Sequence, residues 1–525
     1  MTKVSGADLR RWGIRAALAL VAVTGQRIAI AEDFRLDPAT LRALGRTDER
    51  FQSYNVEMAE VIGGRFWKPY AHMMPSAPPP SEIHVGSDPN LFEARPPVDL
   101  SNRRLRLLAA ALGPAYVRVS GTWANSVYFQ NDDAPAMVKP PDGYGGVLTR
   151  SQWKGVVDFA KAVDARIVTS FTISSGVRDA SGTWTPVEAK PLLAFTRSIG
   201  GQIFAAELFN EPNLSSHGGG PKSYDAPAFA RDSAAFRTFV TQVAPDMRIA
   251  GPGDVMTANA TIDGAPTSQD LMTAEPVPRF DIFSYHFYPA VSQRCAPPTN
   301  KKVGTSQKDA LTEAWLARTD QTFQAHKAVR DRYAAGAPIW ITETAQAACG
   351  GSPWAATFID TFRYLDQMGR LAKQGAGVIF HNTLAASEYG LIDQTNLQPR
   401  PNYWAALLWR RLMGPVVLDA GPTRAGLHVY AHCLRDRPGG VSVLAINTSD
   451  APAVLRLPAP TDVYALSAPS LKSSSVLLNG RPLTMGPDDR IPELHAQPSK
   501  TARVTLAPKG IDFIAVPAAQ NADCP

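Results

Sequence analysis

Ala205-Ala206-Glu207-Leu208-Phe209-Asn210-Glu211-Pro212 and Ile339-Trp340-Ile341-Thr342-Glu343-Thr344 are two apolar, strand-like runs, each reaching a glutamate where a loop begins. Two carboxylates carried on different strands to one rim of a barrel form the pair that retaining glycosidic-bond hydrolysis requires, one as proton donor and one as nucleophile. The second glutamate follows the first by about 130 residues, the length of three strand-helix units of ~30–45 residues in a (β/α)8 barrel. Either motif alone is weak, since a strand running into a Pro-containing turn is common. The pair predicts glycosidase chemistry with Glu211 and Glu343 as the catalytic residues.

Working outward, apolar strands alternate with amphipathic helical patterns. The strands are expected at Tyr54–Val61, Tyr116–Gly121, Arg166–Thr172, Ile203–Asn210, Met247–Gly251, Phe280–Tyr288, Pro338–Glu343 and Gly377–Thr383. Helical patterns cover Arg103–Leu112, Gln152–Val163, Ala314–Tyr333, Trp354–Met368 and Tyr403–Met413. Repetition of strand and helix predicts a parallel sheet, and eight strands suit a TIM barrel. After Gly414 short β-like runs separated by Pro-Gly-Gly, Asn-Thr-Ser-Asp and Asn-Gly-Arg turns predict an antiparallel β-sandwich. The expected organisation is a signal peptide at 1–31, a segment at 32–50 pairing with the sandwich, an α/β barrel at 51–413 and the sandwich at 414–525. The loops at Pro75–Pro80, Asp142–Gly146 and His217–Lys222 are rich in glycine or proline. The last lies just beyond Glu211, where loops of a barrel build its working face.

A chain of 525 residues with 45% hydrophobic content has room for a barrel and a second domain. Arg10, Arg11 and Arg15 precede Ala16-Ala17-Leu18-Ala19-Leu20-Val21-Ala22-Val23, and Ala29-Ile30-Ala31 offers small residues before Glu32. This reads as a secretory signal, so a secreted or periplasmic location is expected, with no membrane association beyond that signal. Cys295, Cys349, Cys433 and Cys524 allow two disulfides in such a compartment, with three conceivable pairings. They lack the spacing of a zinc site and the nine histidines are scattered, so neither metal nor cofactor is expected. The net charge of +6 comes without a Lys/Arg cluster, which argues against a nucleic-acid partner. Lys301, Lys302 and Lys308 read as a solvated loop rather than as sulfate contacts.

Further segments carry a resemblance. Gly113-Pro114-Ala115-Tyr116-Val117-Arg118 with Ser120-Gly121-Thr122, Phe209-Asn210-Glu211-Pro212-Asn213, Tyr285-His286-Phe287-Tyr288, Ile341-Thr342-Glu343-Thr344, Tyr389-Gly390-Leu391-Ile392-Asp393 and Pro401-Asn402-Tyr403-Trp404 are its most specific pieces. With them the chain resembles the heparanase and β-glucuronidase family of retaining glycoside hydrolases. The resemblance implies action on β-linked glucuronic acid in an oligo- or polysaccharide, with Glu211 as acid/base and Glu343 as nucleophile. It also implies Asn210 at the sugar 2-hydroxyl, Arg118 and Tyr288 as donors around Glu343, and Glu57, Thr122 and Asn382 as further sugar contacts. Tyr389 and the amides of Gly350 and Gly351 match the group that holds the C5 carboxylate. The chain departs from the family's pattern just before that turn, with Ala348 and Cys349 in place of an aromatic and a glycine. Cys433 and Cys524 match a family disulfide; Cys295 and Cys349, after adjacent strands, could brace the turn. His286 reads as a packed strand histidine without a proton-transfer role. The alternatives weighed are a related enzyme on neutral sugars, such as a xylosidase or arabinofuranosidase, and an inactive carbohydrate-binding protein.

Overall fold

The computed structural model describes residues 33–73, 88–257, 264–296, 303–458 and 460–525. The signal-like segment at 1–31, the 75–80 loop, Lys301 and Lys302 lie outside them. Eight strands close a barrel: β1 (Gln52–Glu57), β2 (Ala115–Ser120), β3 (Ala165–Ser170), β4 (Ile203–Glu207), β5 (Arg248–Thr257), β6 (Ile282–Tyr288), β7 (Ile339–Thr344) and β8 (Val378–His381). Each pairs in parallel with its sequence neighbours, and β8 returns to β1. The expected barrel is therefore the observed one. An aromatic layer of Tyr116, Trp340 and Phe380, with Phe204 packed against it, fills the end away from the strand C-termini, so polar side chains gather at the other end.

Three local expectations change. The first strand stops at Glu57 because Met58–Ile62 turns into a short helix, whose Glu60 Oε2 accepts from the Glu57 amide at 2.7 Å. The helical pattern from Ala314 breaks into Glu313–Leu316 and Arg318–Tyr333. The helix expected from Trp354 begins at Phe358. Two barrel helices, Ala189–Ser198 and Ala226–Val243, were not expected at all.

The chain beyond the barrel forms a large antiparallel sheet that includes β9 (Met413–Leu418), β10 (Leu427–Leu434), β11 (Val441–Asn447), β12 (Thr461–Ser467) and β13 (Ile511–Val516). Its side chains alternate between two cores, as a period of two dictates. Val429, Ala431, Val443 and Ile514 face a three-stranded sheet, whereas Tyr430, Leu444, Ile446 and Phe513 face the barrel helices Phe358–Lys373 and Pro401–Leu412. Asp33–Arg35 joins the smaller sheet beside Ala453–Arg456, and Ala43–Arg46 pairs with β9. Gly369 lets helix and sheet meet, since a Cβ there would lie 2.4 Å from the Tyr430 ring. Disulfides join Cys433 to Cys524 (Cα–Cα 5.3 Å) and Cys295 to Cys349 (Cα–Cα 6.4 Å).

An ionic cluster, buried except for the half-exposed Glu313, ties sheet to barrel. His428 Nδ1 lies 2.5 Å from Asp366 Oδ1 and its Nε2 lies 3.1 Å from Glu313 Oε2, while Arg370 Nε donates to Asp366 Oδ2 at 2.6 Å. Burial opposes a charge on His428, but Asp366 and Glu313 overcome it and push its pKa up to about 9. A folded-state value above the ordinary 6.5 makes this contribution full below pH 6.5 and lost as pH rises through 9. Stability should therefore fall between pH 6.5 and 9 by up to about 3 kcal/mol, measured as denaturant midpoints across that range. His428→Gln should flatten the slope; an unchanged slope would remove His428 as its source.

Candidate active site

The site sits at the strand C-termini and is built in levels. At its base Arg118 on β2 and Glu207 on β4, each 1% exposed, form an ion pair. Arg118 Nε and Nη2 donate to Glu207 Oε2 at 3.1 and 2.8 Å, and Ser284 and Thr342 hydroxyls donate to Oε1 at 2.9 and 2.8 Å. Burial alone would raise the pKa of Glu207, yet the guanidinium holds it below the ordinary carboxylate range. The same guanidinium reaches upward, donating from Nη1 to Glu343 Oε2 at 3.1 Å and from Nη2 to Asn210 Oδ1 at 2.8 Å. A single arginine thus serves as ion-pair partner within the barrel and as donor at the rim.

Glu343 is received from the other side by the Tyr288 hydroxyl, 2.5 Å from Oε1. Asn382 Nδ2 lies 2.9 Å from the Tyr288 hydroxyl, 3.4 Å from Glu343 Oε1 and 3.2 Å from the Tyr389 hydroxyl. A register shift makes this possible: Tyr285 opposes Ile341 but His286 opposes Glu343, so Thr342 is an extra residue on β7. That bulge lets successive side chains, Thr342 and Glu343, both reach the barrel interior.

Glu211 stands just past β4 in a left-handed conformation (φ 52°, ψ 70°) that costs a non-glycine residue roughly 1–3 kcal/mol. Asn213 pins the turn by exchanging two 3.0 Å hydrogen bonds with the Val255 backbone. The Glu211 carboxyl meets His286 Nδ1 at 3.0 Å. Arg118 Nη2 lies 3.2 Å from His286 Nε2, and arginine can only donate, so that nitrogen accepts and the ring proton sits on Nδ1, pointing at Glu211. Burial raises the pKa of Glu211, opposed by the bond from His286 and reinforced by the charge of Glu343. Ligand atoms of Glu211, His286 and Glu343 lie within 4.8 Å of one another. A spacing of this kind can hold a metal, but the Arg118 cation already lies against two of the three groups.

The remaining expected residues arrange around this pair. Asn125 grips Asn210 through both backbone groups at 2.9 Å, and with Oδ1 engaged by Arg118 the Asn210 amide nitrogen is left for a ligand. Glu57 is buried with Oε2 lacking a protein partner, and burial followed by the Glu343 charge places its pKa well above the ordinary range. Gly121 makes room for it, since a Cβ there would fall 1.5 Å from that oxygen, and Thr122 opens the next turn. Cys349, Gly350 and Gly351 are all left-handed (φ 62°, 76° and 82°). Cys349 thus adopts a backbone conformation that favours glycine, and its disulfide to Cys295 anchors it there. Trp67 packs beneath Gly350 and Tyr389 beside Gly351, whose added Cβ atoms would lie 2.8 and 3.2 Å from those rings. His381, kept neutral by burial with its pKa lowered to about 3, bonds the Tyr389 carbonyl at 2.7 Å. Lys308 is exposed on the turn Gln307–Asp309.

Sequence reasoning missed Glu207 and undervalued His286. A glutamate inside an apolar strand run is itself a signal, because a buried carboxylate demands a partner.

Comparison with known proteins finds relatives among glycoside hydrolases. The family model described as glycosyl hydrolase family 79, N-terminal domain, matches residues 96–369. Heparanase-like protein 1 of Arabidopsis thaliana is 27% identical over 370 residues, 67% of this chain and 65% of that relative, so just under two thirds of its length is spanned. Heparanase of Mus musculus is 26% identical over 76% of this chain and 82% of its own. Hyaluronoglucuronidase of Hirudo nipponia is 26% identical over 81% and 92%. Among solved structures, a 4-O-α-L-rhamnosyl-β-D-glucuronidase from Fusarium oxysporum superposes with TM-score 0.59 at 14% identity, covering 92% of this chain and 100% of that one. An α-L-arabinofuranosidase from Thermotoga maritima gives TM-score 0.61 at 13% identity, covering 92% and 99%. At these identities the two structures speak for the fold alone.

Proposed function

The chain belongs to glycosyl hydrolase family 79, and from that premise we propose that it is a secreted retaining hydrolase of β-linked glucuronic acid. The observation that carries the reading is the approach of Glu211 to Glu343 across the rim, with oxygens of the two within 4.8 Å. Retaining pairs have carboxyl groups ~5–5.5 Å apart, whereas inverting pairs leave ~6.5–9.5 Å for a water. Two disulfides are in keeping with an oxidising compartment. The relatives named heparanase and hyaluronoglucuronidase support the substrate class.

In this mechanism Glu211 takes the hydrogen bond from His286 on Oε1, leaving Oε2 to carry the proton given to the glycosidic oxygen. Glu343 attacks the anomeric carbon as that bond breaks, forming a glycosyl ester. Water then attacks the same carbon, Glu211 takes its proton, and the Glu343 carboxylate leaves. Asn210 Nδ2 donates to the 2-hydroxyl. Glu57, whose pKa is pushed well above the ordinary carboxylate range by burial and then by the Glu343 charge, offers its free oxygen to another hydroxyl.

The C5 carboxylate is received by the Tyr389 hydroxyl and the Gly350 amide; the Gly351 amide, expected to join them, is already bonded to the Ala347 carbonyl at 3.2 Å. One hydrogen bond to a charged group contributes about 1.5–3 kcal/mol, roughly 10- to 150-fold. Tyr389→Phe should therefore lower kcat/KM by that factor on aryl β-glucuronides and hardly at all on the matching glucosides. Equal losses on both, or a wild-type chain that prefers β-xylosides or β-glucosides, would move the assignment to neutral sugars.

A further inference from the structure

An open cleft of ≈ 610 Å³ lies on the same rim as the acid pair, enclosed by the loops that follow β2, β3 and β4. Two of its walls grow out of the supports of the site itself. Gly219 and Gly220 continue the turn Pro212–His217 that begins at Glu211, with the Gly220 amide bonded to the Ser215 carbonyl at 3.0 Å. Ser126 follows Asn125, which grips Asn210. The glycines let these loops converge. A Cβ on Gly145 would lie 2.7 Å from Ser126 Oγ, and one on Gly219 would lie 3.0 Å from Ser126 Cβ.

Among the described residues the lining is serine hydroxyls, backbone, the Tyr144 and Pro221 rings and a single charged side chain, Arg178. That charge is already satisfied. Arg178 Nη1 lies 2.6 Å from Oδ2 of Asp232, whose side chain is 0% exposed, and donates to the Gly182 carbonyl at 2.9 Å. Its Nε and Nη2 donate to the Ile173 carbonyl at 3.3 and 3.1 Å. Lys139, Asp142 and Lys222 flank the cleft in sequence but do not line it.

We propose that this cleft binds an uncharged sugar unit neighbouring the glucuronic acid under attack, so that the enzyme selects unsulfated stretches of its glycan. The inference rests on the proposed glucuronidase reading. A cleft of this size is in the range of ligand pockets. Sugar hydroxyls exchange water for serine hydroxyls and backbone at little net cost. A sulfate would shed water and find no free cation among the described lining residues, which makes its transfer unfavourable.

The test compares an aryl β-glucuronide, an unsulfated oligosaccharide alternating glucuronic acid with N-acetylhexosamine, and the same oligosaccharide chemically O-sulfated. The unsulfated chain should be cleaved with kcat/KM at least ~10-fold above the sulfated one, and calorimetry on the unmodified protein should show the same order of binding without reliance on turnover. Ser175→Trp, at an exposed position of the lining, should lower kcat/KM for the unsulfated oligosaccharide about 10-fold or more and leave the aryl glucuronide unchanged. Ser175→Arg should instead improve the sulfated chain and make its binding salt-sensitive. Equal or better binding of the sulfated chain by the wild type overturns the proposal, as does indifference of oligosaccharide cleavage and binding to Ser175→Trp. Failure to hydrolyse the aryl glucuronide counts instead against the glucuronidase reading, and the binding comparison still decides the cleft.

Discussion

Glu343→Gly should lower turnover of every glycoside substrate by on the order of 10⁴–10⁶-fold, and azide should restore activity toward an aryl β-glucuronide with inversion, releasing the α-glucuronosyl azide. The shortened side chain opens the face from which Glu343 would attack, so azide forms its bond to the anomeric carbon there as the aryl oxide departs from the opposite face. Glu211→Gly should behave differently. Aryl glucuronides with good leaving groups still esterify Glu343, because they need little protonation on departure. Azide then attacks that ester from the face Glu211 has vacated, giving the β-azide, while substrates with poor leaving groups lose ~10²–10⁴-fold. Product configuration read by proton NMR separates the two roles. A β-azide from Glu343→Gly, or an α-azide from Glu211→Gly, would reverse the assignment whatever the rates.

The parts of this site legible in the sequence are those that declare themselves locally. Glu211 and Glu343 stand at the ends of apolar strand runs, Tyr288 ends another, and Arg118 is the charged residue within the apolar run Ala115–Ser120. The structure brings all four to within a few hydrogen bonds of one another. Glu207 and His286 could not be placed in the same way, because their meaning depends on what faces them across the barrel. Glu207 is four residues before Glu211 but points to a lower level, where it meets Arg118 from β2, Ser284 from β6 and Thr342 from β7. The Thr342 contact depends on a bulge that no periodicity encodes. His286 is packed, as its strand setting suggested, and its Nδ1 also meets the Glu211 carboxyl at 3.0 Å, a contact that only the barrel's closure brings about. The same limit holds for the fold. Helix Ala226–Val243 buries Phe229, Phe236 and Phe239 among small and polar residues, a stripe too sparse to stand out, whereas Phe358–Lys373 carries Phe358, Phe362, Leu365, Met368 and Leu371 at helical spacing and was legible from that period.

Arg118 has two occupations, and stability and activity can be made to respond to them separately. Glu207→Leu should destabilise the fold by about 3–5 kcal/mol, the usual effect of removing one member of a buried ion pair, because the guanidinium loses its main counter-charge and the Ser284 and Thr342 hydroxyls lose their acceptor. Arg118→Leu should cost a similar amount by leaving Glu207 as an uncompensated buried carboxylate. Residues in direct contact do not act additively, and replacing a buried pair by apolar side chains is often neutral. The Arg118→Leu, Glu207→Leu double variant should therefore recover much of the stability lost by either single variant, seen as a denaturant midpoint returning toward wild type. Activity should not return with it. Glu343 Oε2 and Asn210 Oδ1 would still lack their donor, and His286 Nε2 would face a leucine, freeing the ring to change tautomer and withdraw its proton from Glu211. A stable double variant with restored kcat/KM would show that Arg118 serves the fold alone, and that Tyr288 and Asn382 suffice to hold the nucleophile.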